Sequence, residues 1–266
     1  MADFKPDWTL LPLKRDYSIL KKFNFERQPV AVNYCFYKPE GVKILDKPAG
    51  LCELPKVCNE KGEAFYITAA EEDCVGKRFL GLPMEVPHMR HPDGGRLGVN
   101  LGVMQRPINN LNLRQYCPTM VPGSVNYVLF TPFDKMVYEP DLLYFACPAT
   151  QADVLLRANS FMTGEPFQSM GTTVANCTNL FVYPVQTGKI NFMTSGTSWC
   201  MNGRRVYPEG LMVVVIPFQK IATVLEGLQE MTWYRDALEL DRDGYVEWDA
   251  VLTQKTQEER QKEYWT

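Results

Sequence analysis

The chain has 266 residues, a formal net charge of −3 and 45% hydrophobic residues, enough for a sizeable core and too apolar for a disordered polymer. Its densest basic stretch, Lys14-Arg15 with Lys21-Lys22, is short and broken by apolar residues, so a nucleic-acid partner is not expected. No run approaches the roughly 18 apolar residues of a membrane helix, and the charged N-terminus does not read as a secretory signal, so the expected location is the cytoplasm, with no membrane partner.

In chain order, residues 10–23 carry Leu13, Tyr17 and Leu20 at helical spacing and predict an amphipathic helix. Two β-rich runs entered through proline, PVAVNYCF (29–36) and PDLLYFAC (140–147), predict strands. Further strands are expected at 64–70, 126–131, 179–183, 189–194 and 211–216. Residues 54–61 permit a short helix. A longer one is expected from Ala149 to a cap at Gly164, and another over 218–236.

Several of these pieces occur twice. Gly62-Glu-Ala-Phe with Cys74 matches Gly164-Glu-Pro-Phe with Cys177, and Gly95-Arg-Leu-Gly-Val matches Gly188-Lys-Ile-Asn-Phe. Asn126 to Pro132-Phe-Asp-Lys135 likewise matches Met212 to Pro217-Phe-Gln-Lys220. The expected fold class is therefore α+β: an internally duplicated mixed-sheet unit with pseudo-twofold symmetry and helices packed on the sheets. The units are 29–137 and 138–220, with helical extensions at 1–28 and 221–266, all in one body.

No dinucleotide-binding glycine motif, phosphate-binding loop or nucleophile elbow is present. The segment around Asp241, Asp243 and Gly244 imitates a calcium loop, but Ala250 stands where a bidentate glutamate is required, and a plain turn is the better reading. His88 and His91 lie in a proline-flanked segment that reads as a surface loop. Eight cysteines occur without a Cys-x-x-Cys pair, and buried small hydrophobes account for most of them, with no role assigned to Cys35, Cys52, Cys58, Cys117, Cys147 or Cys200. Cys74, close to Lys77 and Arg78, and Cys177 are the candidate pair: if a dyad relates the repeats, these thiols face each other across it. Gly171-Thr-Thr and Ser195-Gly-Thr are small polar clusters that can cradle an anion or serve simply as turns.

From Pro29 to Pro217 the chain resembles the bacterial and archaeal proteins grouped as domain of unknown function 169. The resemblance rests on Pro29-Val-Ala-Val, Cys74-Val-Gly-Lys-Arg-Phe-Leu-Gly-Leu, Pro140-Asp-Leu-Leu, Pro148-Ala-Thr-Gln151-Ala, Cys177, and Tyr183-Pro184 with Thr187-Gly-Lys-Ile-Asn. It carries no established activity, and so no catalytic residue. It does imply anaerobic organisms and redox company, since some members are joined to ferredoxin-like cluster domains, a module missing here.

The leading expectation is a cofactor- or small-ligand-binding protein of anaerobic redox metabolism, with its site between the repeats. Cys74 and Cys177 would act as metal ligands or nucleophiles, Arg78 would pair with an anionic group, and Gln151, Gly171 and Ser195 would complete the binding set. An iron–sulfur cluster or a metal-containing macrocycle suits sulfur ligands. A metal-free thiol enzyme acting on a small organic acid, and a non-catalytic assembly or regulatory subunit, are the alternatives. A small-molecule ligand is expected, and a homo-oligomer or a redox protein partner is open.

Overall fold

The computed structural model describes residues 8–83, 95–197 and 199–233. Seven strands form one mixed sheet: β1 (Val30–Cys35), β2 (Lys43–Ile44), β3 (Phe65–Ile67), β4 (Tyr127–Pro132), β5 (Leu142–Pro148), β6 (Asn191–Thr194) and β7 (Leu211–Pro217). Their order is β2-β3-β4-β1-β5-β7-β6, antiparallel at every pairing except β2 with β3. Helices α1 (Leu54–Lys61), α2 (Arg96–Asn100), α3 (Pro107–Gln115), α4 (Ala149–Thr163), α5 (Asn176–Phe181), α6 (Tyr183–Thr187), α7 (Trp199–Gly203) and α8 (Phe218–Glu230) complete the α+β fold. Sheet and helices belong to one compact unit, Met1–Gln229, while a second, Glu230–Thr266, lies mostly outside the described residues.

The central strands have no solvent face, which explains their nearly unbroken apolar sequences: β1 is buried at all six positions, and β5 from Leu142 through Cys147. Alternation then sorts the side chains. Val30, Val32, Tyr34, Leu142, Tyr144, Val213 and Val215 join the main core with Cys52, Leu180 and Phe181. Their neighbours Ala31, Leu143, Phe145 and Val214 point to the opposite face, where α4 packs on β5 and β7. Helix α8 crosses α4 so closely that a Cβ on Gly227 would stand 2.2 Å from the Ala158 carbonyl oxygen. The strands β4 and β7 both end on a proline, which cannot donate to a ladder. The N–H of the following residue closes the strand instead, Phe133 onto the Pro29 oxygen at 3.0 Å and Phe218 onto the Asp141 oxygen at 2.9 Å.

Four expectations need correction. Residues 10–17 are not helical. Pro12 pairs with Tyr138 in an antiparallel bridge, and only Ser18–Phe23 winds, as a 3-10 helix. The run expected as a strand at 179–183 instead ends α5 at Phe181 and begins α6 at Tyr183, with Val182 between them; Leu180, Phe181 and Val182 are fully buried, and a helix enclosed on every side shows no polar stripe. Gly95-Arg-Leu-Gly-Val leads into α2 whereas Gly188-Lys-Ile-Asn-Phe leads into β6, so those segments do not correspond. The last helix ends at Glu230 rather than 236. His88, His91 and the segment from Asp241 lie outside the described residues. No helix among the described residues is long and apolar enough to cross a membrane.

The extended N-terminal segment is held by one carboxylate. Glu139, 3% exposed, accepts the backbone N–H groups of Lys14 (2.7 Å) and Arg15 (2.8 Å), the Arg15 guanidinium (2.8 Å) and the Tyr17 hydroxyl (2.6 Å). Burial alone would raise its pKa, but these donors hold it below the usual 4.5. A lowered carboxyl stabilises the fold above its unfolded pKa and loses that contribution as the pH falls through the folded one. Glu139→Gln is expected to cost about 2–3 kcal/mol at neutral pH. Thermal melts between pH 7 and 3 should show the gap between wild type and variant closing in acid; a pH-independent gap would contradict the assignment.

Candidate functional site

Four of the eight cysteines meet. Cys52, Cys74, Cys177 and Cys200 line one small pocket with Leu51, Glu72, Val75, Ala175 and Asn176. Every one of the six pairs among these thiols is close enough for mutual electrostatic influence. Cys52 is buried and the other three are half-buried, and all eight cysteines of the chain are free thiols. The space left among the four is about 10 Å³, room for a single water at most.

The first wall is built around Glu72, which is 0% exposed. One carboxylate oxygen accepts the Leu51 N–H at 2.8 Å; the other accepts those of Lys77 at 3.0 Å and Cys74 at 3.2 Å. A single side chain thus staples the Cys52 turn to the Cys74 loop. Burial pushes its carboxyl up, while those three N–H bonds oppose the shift. The approach is close enough to require a glycine: a Cβ on Gly76 would sit 2.7 Å from the Leu51 Cβ and 3.0 Å from a Glu72 oxygen. Outside, Arg204 bridges the same two segments, reaching Glu53 at 2.5 Å and Asp73 at 3.3 Å. Its own backbone N–H bonds the Cys200 carbonyl at 3.0 Å, so Cys200 is tied to the clasp.

The second wall is an asparagine lattice. Asn191, at the start of β6, accepts the Met170 N–H at 2.8 Å and donates to the carbonyls of Met170 (3.0 Å) and Asn179 (2.6 Å). That fixes the loop leading into α5. Asn176 opens α5, with Oδ1 accepting the Thr172 N–H at 2.6 Å and the Asn179 amide at 3.2 Å. Just before it, Ala175 holds φ at +60°, a left-handed conformation rare for a residue with a Cβ. The Ala175 and Val75 N–H groups partly offset the rise that burial gives the Cys200 and Cys74 thiols.

Burial pushes all four thiols up, Cys52 to about 12 and Cys177 well above the ordinary thiol range. A free nucleophilic cysteine needs the opposite shift. Among the described residues, no three histidine, cysteine, aspartate or glutamate side chains are placed so that they hold a metal ion as they stand.

Cys74 and Cys177 therefore share a pocket, though not as counterparts. Cys74 follows β3, whereas Cys177 precedes β6. Cys52 and Cys200, read from sequence as core thiols, belong to the same pocket. Their signal was a spacing: Cys74 lies 22 residues after Cys52, and Cys200 lies 23 after Cys177. The remaining expected ligands do not line this pocket. Arg78 lies in the short 3-10 helix Gly76–Arg78, and Gln151 on α4 donates to the Phe23 carbonyl at 2.9 Å. Ser195 donates to the Pro208 carbonyl at 3.2 Å. Gly171 borders a separate hollow with Tyr116 and Thr173.

A mixed-sheet α+β protein with a closed four-thiol pocket is the class that fold and site define. The chain belongs to the family domain of unknown function 169, described as uncharacterised ArCR, whose model matches residues 18–227. No curated protein and no solved structure matches it.

Gly76→Ala is expected to cost about 1–3 kcal/mol through overpacking against Leu51 and to loosen the first wall. Denaturant titration reads the first effect, and maleimide labelling of Cys74 in the native protein reads the second. Unchanged stability together with unchanged labelling would show that the Leu51–Glu72 contact is not tight.

Proposed function

We propose that this chain binds a redox-active group through cysteine thiolates, at a site where two copies of one ancestral unit meet. The observation that carries the reading is the convergence of four thiols, two from each half of the sequence, on one pocket.

Strand register supports the duplication and revises its alignment. Outward from the β1–β5 pairing, the first half runs β1, β4, β3 and the second β5, β7, β6, each placing its first strand, then its last, then a middle one; the edge strand β2 of the first half has no counterpart. Val30 pairs with Pro132 and Leu142 with Pro217, so Val30 corresponds to Leu142 and Cys35 to Cys147, five residues further on in each. Phe65 pairs with Phe130 and Asn191 with Val215, two residues before those prolines, so Phe65 corresponds to Asn191. Gly62 and Gly188 each lie three residues before these positions, and both cap a helix with positive φ. Cys74 and Cys200 each lie nine after; Cys52 lies thirteen before, and Cys177 fourteen. The four thiols thus form two related pairs, Cys52 with Cys177 and Cys74 with Cys200, as expected of a site on a pseudo-twofold axis.

The size of the space favours a small inorganic group. A macrocycle needs a cavity of about 300–1,000 Å³. The hollow beside Trp8 and Phe218 has about 840 Å³ but no cysteine among its lining residues. The thiol-enzyme reading is disfavoured because burial works against thiolate formation at all four positions. A metal that replaces the protons removes that obstacle. In the reduced cytoplasm such thiols stay available. The bound group would accept one electron from a reduced redox partner protein and pass it to an oxidised one.

Protein prepared without oxygen is expected to carry bound metal or a visible chromophore, lost in Cys52→Ser and Cys200→Ser and kept in Cys35→Ser and Cys147→Ser. Absorption spectra with elemental analysis test this. A colourless, metal-free wild type, or selective iodoacetamide capture of one of the four thiols in such protein, would favour the thiol enzyme instead.

A further inference from the structure

The four sulfurs do not exhaust the pocket. Asn176 lines it, is 1% exposed, and has a buried Nδ2 with no hydrogen-bond partner. The orientation of this amide is not arbitrary. Its oxygen takes a backbone N–H at 2.6 Å, a bond the NH2 end cannot make, so Nδ2 is the end left over. An orphaned buried donor costs about 1–3 kcal/mol, and here it belongs to a residue that lines the same pocket as the four thiols.

The four sulfurs are an all-sulfur donor set that suits an iron–sulfur cluster as well as a tetrahedral ion about 2.3 Å from each, and the assay below separates the two. A cluster gives its cysteines separate metal corners, so mutual proximity is what it requires. The void must widen to admit one. The ligands are placed for that: Cys52 is in a turn, Cys74 in a loop, and Cys177 and Cys200 in short helices, none in a strand of the sheet.

We propose, resting on the cofactor-binding reading above, that the group is an iron–sulfur cluster held by Cys52, Cys74, Cys177 and Cys200, and that the Asn176 side-chain amide donates a hydrogen bond to it and tunes its potential. Asn176 is a positioning residue and not a ligand.

The test uses the full chain expressed and purified anaerobically, assayed for iron, zinc and acid-labile sulfide, then titrated with dithionite under EPR. Iron and sulfide in equal amounts, with a signal appearing on reduction, are expected. Iron without sulfide, or zinc alone, would overturn the cluster while leaving a thiolate-bound cofactor standing; no metal and no chromophore would overturn both. For Asn176, the readout is the midpoint potential. Asn176→Ala removes a donor and is expected to lower it by about one tenfold step in the reduction equilibrium, roughly 59 mV for one electron. Since the Asn176 oxygen also holds Thr172, Asn176→Asp serves as the second variant: it keeps that acceptor, replaces the donor with an anionic oxygen, and should lower the potential at least as far. Wild-type potentials in both loaded variants would overturn the assignment of Asn176.

Discussion

Everything in this molecule hangs on a short antiparallel pairing at the middle of the sheet. β1 and β5 share only three residue pairs, Val30 with Tyr144, Ala31 with Leu143 and Val32 with Leu142. Beyond them, buried side chains take over the ladder. The Asp141 carboxylate accepts the Tyr34 N–H at 2.8 Å, and the Asn33 amide donates to the Glu139 carbonyl at 2.8 Å. These bonds explain two buried polar residues, Asn33 within β1 and Asp141 just before β5, where an unmade bond would cost about 1–3 kcal/mol. They also connect the pairing to its surroundings. The Tyr34 hydroxyl bonds the Phe181 carbonyl at the end of α5, and Glu139 anchors the N-terminal segment. The join between the sequence halves thereby touches the helix that begins with Asn176 and Cys177.

The strands were largely legible because burial on both faces leaves a plain trace, a proline followed by an apolar run. The same burial hid α5. Helical periodicity is visible only when one face stays wet, and Leu180, Phe181 and Val182 have no wet face. The N-terminal segment misled in the opposite way. Leu13, Tyr17 and Leu20 have helical spacing, but the backbone N–H groups of Leu13, Lys14 and Arg15 are satisfied by Val137 and Glu139, more than 120 residues away. No local pattern encodes a partner at that distance.

The candidate site was half legible for a sharper reason. Gly62, Gly164 and Gly188 all end a helix with φ between +60° and +69°, so they share the same local chemistry. Aligning Gly62 with Gly164 pairs Cys74 with Cys177 and leaves Cys52 and Cys200 as ordinary core thiols. Aligning it with Gly188, as the strand register favours, turns four scattered cysteines into two pairs. Sequence motifs identify caps; on the proposed duplication, it is hydrogen-bond register that selects which cap corresponds to which. Arg78, Gln151 and Ser195 do not line the four-thiol pocket, although the short helix that carries Arg78 adjoins its first wall through Gly76 and Lys77.

The energetics of the pocket argue that it is built for something other than packing. A core thiol needs only apolar neighbours, and Cys35, Cys58 and Cys147 have them. Around Cys177 the fold instead retains a left-handed alanine and an amide donor without a partner, each worth about 1–3 kcal/mol of destabilisation. Domains of this size have only about 5–15 kcal/mol to lose. Glycine at position 175 would relieve the first cost, whereas an apolar residue at 176 would remove the orphaned donor only by also stripping the Thr172 N–H and the Asn179 amide of their acceptor. The strained alanine and the unpartnered amide, lining one pocket with four thiols, make physical sense when a negatively charged sulfur-rich group satisfies the amide and holds the turn in place.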